Sequence, residues 1–149
     1  MPRERFSENH TFLPKRAFLS FEEIEKVVRS CMSLGLEKVR ITGGEPLLRK
    51  DLPRLIEMLS GLGIEIALTT NASLLKKEAK ALHSAGLTRV TVSLDALDPE
   101  LHRTMSDSNI SVDSGLEGRD EAIRVGLSPV KINCVVQKGV NEKEVSKLV

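Results

Sequence analysis

Val39-Arg40-Ile41-Thr42-Gly43-Gly44-Glu45-Pro46-Leu47 runs from an alternating apolar stretch into a double-glycine break, and a helical pattern resumes at Asp51. Val39 and Ile41 point to one face of a strand and Arg40 and Thr42 to the other, because side chains alternate along extended backbone. A strand that ends in two glycines before a helix opens a βα unit, where backbone groups at the strand's C-terminal end can come close to a ligand. Glu45 adds a carboxylate suited to a cation such as an ammonium. A tight βα loop uses the same two glycines, so the turn alone leaves both readings open.

The same rhythm extends in both directions. Upstream, Ser20 caps a helix with Glu23 at its third position, and the stripe Ile24, Val27, Val28, Cys31 and Leu34 runs to Gly35. Residues 1–18 have no period and read as an ordered loop. Downstream, the pattern predicts a helix over 51–60 opened by Asp51, a strand over 64–68 and a helix over 75–85 closed by Gly86. It continues with a strand over 90–94, a short helix over 99–105 entered through Asp98, and an exposed loop over 106–114. A helix over 115–125, a strand over 130–136 and a last helix capped by Asn141 complete the chain.

Strands joined by helical crossovers imply a parallel sheet and the α/β class. At 149 residues the chain is too short for a complete eight-stranded barrel, which takes roughly 250. The expected architecture is a partial (β/α) TIM-like barrel. It forms one incomplete domain over 1–149, with 1–18 as loop and 19–149 as βα units.

Composition narrows the function. With 22 basic against 21 acidic side chains the formal charge is +1, which points to neither nucleic acid nor a membrane surface as partner. No apolar run approaches the roughly 20 residues of a membrane span, so the expected compartment is the cytoplasm. The two cysteines, Cys31 and Cys134, are too far apart for local metal-ligand spacing and read as small core residues. Neither a Gly-x-Gly-x-x-Gly motif nor a P-loop occurs, which argues against dehydrogenases and P-loop NTPases.

Parallel strands covered on both faces read as continuous apolar runs. These strands alternate, and parity places Arg40, Thr42, Thr69, Asn71, Ser93, Asp95, Lys131 and Asn133 on one common face. Such a face fits the lumen of an open barrel holding a polar ligand, and buried Arg40 and Lys131 would need anionic partners. A one-sided sheet with a wet polar face produces the same alternation. The crossovers and the Gly-Gly turn favour a site.

The string from Val39 to Leu47, followed by Thr69-Thr70-Asn71, Val92-Ser93-Leu94-Asp95, Val130-Lys131-Ile132-Asn133-Cys134-Val135-Val136 and Lys138-Gly139-Val140-Asn141, resembles the radical S-adenosylmethionine superfamily. Within it, the ordered strings are similar to the GTP 3′,8-cyclase family of molybdenum-cofactor biosynthesis. The resemblance covers essentially all of the chain. It implies that Gly43, Gly44 and Glu45 bind the amino-acid end of S-adenosylmethionine and that Ser93 contacts the same cofactor. It further implies that Arg40, Thr69 and Lys131 contact GTP, with the two cations suited to phosphate. Taken without the family, Thr69 and Ser93 read as strand-end hydroxyls. His10, His83 and His102 match no catalytic position and read as surface or loop residues.

Enzymes of this family are lyases that use S-adenosylmethionine and [4Fe–4S] clusters to convert GTP to a cyclic pterin precursor. One cluster is held by a Cys-x-x-x-Cys-x-x-Cys loop. This sequence has no such loop, and Met1-Pro2 looks like the dipeptide that follows its third cysteine. Three further cysteines of the family's C-terminal part are not present either. The expectation is therefore a fragment, inactive alone, with no catalytic or metal-ligating residue of its own. Ala72, where the family usually has Gly, and Arg119-Asp120, on a usually more apolar helix face, are smaller departures. Alternative readings are a non-catalytic nucleotide-binding or assembly module and a different radical S-adenosylmethionine enzyme. A partial barrel also leaves unpaired sheet edges, through which the chain is expected to associate with other chains or with copies of itself.

Overall fold

The computed structural model describes Pro14 and residues 17–148, so most of the expected N-terminal loop lies outside the described residues. Alternation becomes a four-stranded parallel sheet in the order β1-β2-β3-β4, with β1 at Lys38–Ile41, β2 at Glu65–Thr70, β3 at Arg89–Ser93 and β4 at Val130–Asn133. The helices between them are α1 (Phe21–Met32), α2 (Leu52–Ser60), α3 (Leu75–Ser84), α4 (Pro99–Ser106) and α5 (Val112–Arg124), and α6 (Glu142–Leu148) follows β4. Sequential strands pair side by side, as in one wall of a (β/α) barrel.

The apolar parity of the strands packs against the helices. Ile66, Leu68, Val90 and Val92 join Leu55, Ile56 and Leu59 of α2, Leu75 and Leu82 of α3, and Ala122 of α5 in one buried cluster. The polar parity is left on the other face. Ser20 and Glu23 form the expected capping box on α1, with Glu23 N donating to Ser20 Oγ at 3.1 Å and Ser20 N donating to Glu23 at 2.7 Å. Asp98 caps α4 by accepting from Leu101 N at 2.8 Å.

Several expectations need correction. Helix α1 stops at Met32, so Leu34 falls in the following turn and is 87% exposed; Val27 is also exposed and Val28 carries the burial. Asp51 precedes α2 in a left-handed conformation, φ 58°, without a side-chain cap bond. Helix α5 begins at Val112, inside the expected loop, because Ser111 Oγ accepts from Ser114 N and caps it. Strand β4 ends at Asn133, since Val135 N turns to Asp95 Oδ1 at 2.8 Å. Cys31 and Cys134 are both free and only half-buried, at the margin of the core.

Asn141 occupies the position before α6, but its side chain does other work than capping. Fully buried, its Oδ1 accepts from Gln137 N at 2.7 Å, and its Nδ2 donates to Asp95 O at 2.7 Å and Val135 O at 2.9 Å. Glu144, one turn into α6 and also buried, accepts from Leu97 N at 2.8 Å and Asp98 N at 3.1 Å. Contact with Lys147 holds the Glu144 carboxyl below the usual carboxylate range, helped by those two backbone donors. Both residues lash the segment after β4 to the C-terminal end of β3.

The contact between α3 and α5 depends on a glycine. A Cβ at Gly118 would lie 2.4 Å from Ala72 O and 3.0 Å from Leu75 Cβ. Ala72 itself is fully buried with φ 61°, a left-handed conformation that favours glycine.

Candidate functional site

The open face of the sheet carries its polar residues in layers set by the register. Arg40 is level with Ala67, Thr69 with Thr91, Thr91 with Lys131, and Ser93 with Asn133. Ala67 is small and buried, which leaves room for the Arg40 stem to lie across β2. Arg40 Nη1 then donates to Thr69 Oγ1 on β2 and to Thr91 Oγ1 on β3, each at 3.0 Å. One side chain thus spans three strands. Arg40 and Lys131 are exposed, and neither forms an ion pair among the described residues.

At the C-terminal rim of β1 the Gly43-Gly44 turn is held open. Gly43 has φ 149°, a conformation that L side chains rarely adopt, and a Cβ at either glycine would meet nothing within 4 Å. Glu45 anchors the turn. Its Oε1 accepts from Leu47 N at 3.0 Å and from Thr70 Oγ1 at 2.7 Å, and its Oε2 from Asn71 N at 2.8 Å. The carboxylate therefore ties the turn to the end of β2 while the glycine backbone faces free space.

Alternation also reaches one layer further than the expected set. Lys38, Glu65 and Arg89 begin β1, β2 and β3, and Glu65 Oε1 lies 2.7 Å from Lys38 Nζ and 2.8 Å from Arg89 Nε. Lys38, with Arg89 and Arg40 beyond it, holds the Glu65 carboxyl below the usual carboxylate range. Lys38, Glu65 and Arg89 each stand two residues before Arg40, Ala67 and Thr91, so strand parity carries the signal for this floor in the sequence. Thr91 shares the parity of Ser93, so its face was legible, although its partner was not.

His102 departs from its expected surface position. It is buried on α4, its Nδ1 has no hydrogen-bond partner among the described residues, and burial pushes its imidazole pKa down against the opposing charge of Asp95. His83 is exposed, as expected, and His10 lies outside the described residues.

The model of the radical S-adenosylmethionine superfamily matches residues 5–149. The chain belongs to this superfamily. It is 49% identical over 99% of its length to a GTP 3′,8-cyclase of Acidothermus cellulolyticus, and 50% identical over its whole length to one of Staphylococcus carnosus. It spans 41% and 44% of those two relatives, less than half of each. Among solved structures, Streptococcus suis SuiB bound to S-adenosylmethionine superposes with a TM-score of 0.77 at 25% identity, covering 94% of this chain and 32% of that one. Methylornithine synthase superposes at 0.67 over 87% of this chain and 39% of that one, with 20% identity, and shares the fold.

Radical S-adenosylmethionine enzymes use that cofactor together with a [4Fe–4S] cluster. The open backbone over Gly43 and Gly44 fits a ligand that approaches the main chain closely. The cluster does not fit. The sequence holds two cysteines, one on α1 and one just after β4, and the described residues contain no group of three side chains able to hold a metal ion. No helix of the described chain is long and apolar enough to cross a membrane.

Proposed function

We propose that this chain is part of a GTP 3′,8-cyclase, an incomplete barrel domain whose open face receives the triphosphate of GTP and whose Gly43-Gly44 turn meets the amino-acid end of S-adenosylmethionine. The observation that carries the reading is Arg40. It is braced against Thr69 and Thr91 with the rest of its guanidinium unpaired, on the face it shares with Lys131 and in a chain about half identical to GTP 3′,8-cyclases. Arginine pairs with phosphate oxygens in a two-pronged geometry, and Lys131 adds a point charge. Ser93, level with Asn133 on the same face, is assigned to the cofactor side.

With two cysteines the chain alone cannot hold a cluster by three thiolates, so it is expected to form no pterin precursor by itself. Its setting is taken to be the cytoplasm, with GTP as its partner.

The test is a graft. The chain replaces the matching 41% of the Acidothermus cellulolyticus relative, and the reconstituted chimera is assayed for pterin precursor from GTP. Product is the expected result. A chimera that binds its clusters and cleaves S-adenosylmethionine yet leaves GTP unchanged contradicts the proposal.

A further inference from the structure

We infer that Thr91 is a positioning residue that orients Arg40 for two-pronged capture of a phosphate, an inference that deepens the triphosphate reading of this face and rests on it. A guanidinium carries five N–H donors on three nitrogens, and Nη1 holds two of them. In this chain Nη1 donates to Thr69 Oγ1 and to Thr91 Oγ1, both at 3.0 Å, so two neighbouring strands take up both of its protons. Nε and Nη2 have no acceptor among the described residues, and they form the side-on fork that matches two oxygens of a phosphate.

One threonine would let the guanidinium pivot about a single contact. Two, in register on β2 and β3, fix its plane and its rotation about Cζ. Ala67, buried between Arg40 and Arg89 in the register, keeps the path across β2 clear. Each hydroxyl that accepts from Arg40 also retains its own proton, which can be donated to a ligand oxygen. Thr91 therefore acts through Arg40 and adds a donor beside it. Preorganisation of this kind improves binding by reducing the ordering that capture requires.

The experiment uses the chain labelled on its arginine guanidinium groups, with the Arg40 resonance identified by its loss in Arg40→Lys. Rotation about the Nε–Cζ bond is measured by NMR, and inorganic tripolyphosphate is titrated as the probe. Thr91→Val keeps the shape and removes the hydroxyl. It is expected to speed Arg40 rotation about tenfold and to weaken tripolyphosphate about tenfold, without altering amide resonances away from the site. Thr91→Ser is expected to restore both, which a packing role for the methyl would not do. Unchanged rotation in Thr91→Val overturns the inference, and so does failure of Thr91→Ser to rescue. If rotation responds but the wild-type chain binds no tripolyphosphate, the bracing of Arg40 stands and the triphosphate reading of the face falls.

Discussion

The side-chain amide of Asn141 donates to the backbone carbonyl of Asp95 at 2.7 Å, joining the segment after β4 to the end of β3. The same amide group donates to Val135 O and its oxygen accepts from Gln137 N, all with Asn141 fully buried. Replacing it by Ala removes these three bonds and leaves Asp95 O with only the thiol of Cys134 at 3.5 Å, at about 1–3 kcal/mol for each group left buried and unpaired. Asn141→Ala is expected to lower the stability measured by urea unfolding by about 3 kcal/mol. Asn141→Asp should cost more, because it turns an acceptor toward two carbonyls. A loss below about 0.5 kcal/mol in both variants would contradict this assignment.

A pair of glycines on α5 gives opposite expectations. A Cβ at Gly118 would sit 2.4 Å from Ala72 O, a backbone atom, whereas one at Gly115 would sit 3.6 Å from Asn71 O in ordinary contact. Gly118→Ala is expected to destabilise by about 1–3 kcal/mol through overpacking. Gly115→Ala should be neutral or stabilise by up to about 1 kcal/mol, since glycine weakens a helix interior. Thermal melts of the two variants decide it, and equal effects would refute the close approach of α5 to the β2–α3 loop.

His102 predicts a stability that falls on mild acidification. Its folded-state pKa is depressed by burial, with Asp95 opposing, so between the folded and unfolded values the unfolded chain binds more protons. Stability is therefore full above the unfolded value of about 6.5 and declines as pH drops below it. Glu65 and Glu144 have depressed carboxyl pKa values and contribute a separate loss, below their ordinary value of 4.5. Urea midpoints from pH 7.5 to pH 5 should fall for the wild type and flatten for His102→Leu. A wild-type midpoint that stays level across that range would show that His102 titrates normally.

The βα order, the one-sided polar face and the parity of Arg40, Thr69, Ser93 and Lys131 were legible in the sequence, because period-two alternation and Gly-Gly punctuation are local signals. What was not legible depended on contacts far apart in the chain. Nothing near Thr91 announces an arginine 51 positions upstream. Asn141 carries the signature of a cap, and only the fold shows its side chain turned to Asp95 and Val135. His102 lies on a polar helix whose burial comes from its tertiary neighbours. The expected loop over 106–114 hid the start of α5 because Ser-rich composition serves caps and loops alike.

The sheet also presents two edges, since β1 pairs only with β2 and β4 only with β3 among the described residues. Val135 and Val136, just past β4, are 62% and 52% exposed. Unpaired edges flanked by apolar side chains invite pairing with other chains. Sedimentation is expected to show concentration-dependent association, reduced in a Val135→Lys, Val136→Lys double variant. A wild-type monomer that melts sharply at every concentration would refute this.

Arg40 and Lys131 are proposed to receive the phosphates of a nucleotide on the open face of the sheet. Calorimetric titration of GTP into the chain tests it most directly, with guanosine as the phosphate-free control and circular dichroism to verify folding. Contacts between charged groups and phosphate contribute about 1.5–3 kcal/mol each, so Arg40→Ala and Lys131→Ala should each weaken GTP roughly 10- to 100-fold and leave guanosine unaffected. Unchanged GTP affinity in both folded variants, or guanosine binding as tightly as GTP, would contradict phosphate capture by Arg40 and Lys131.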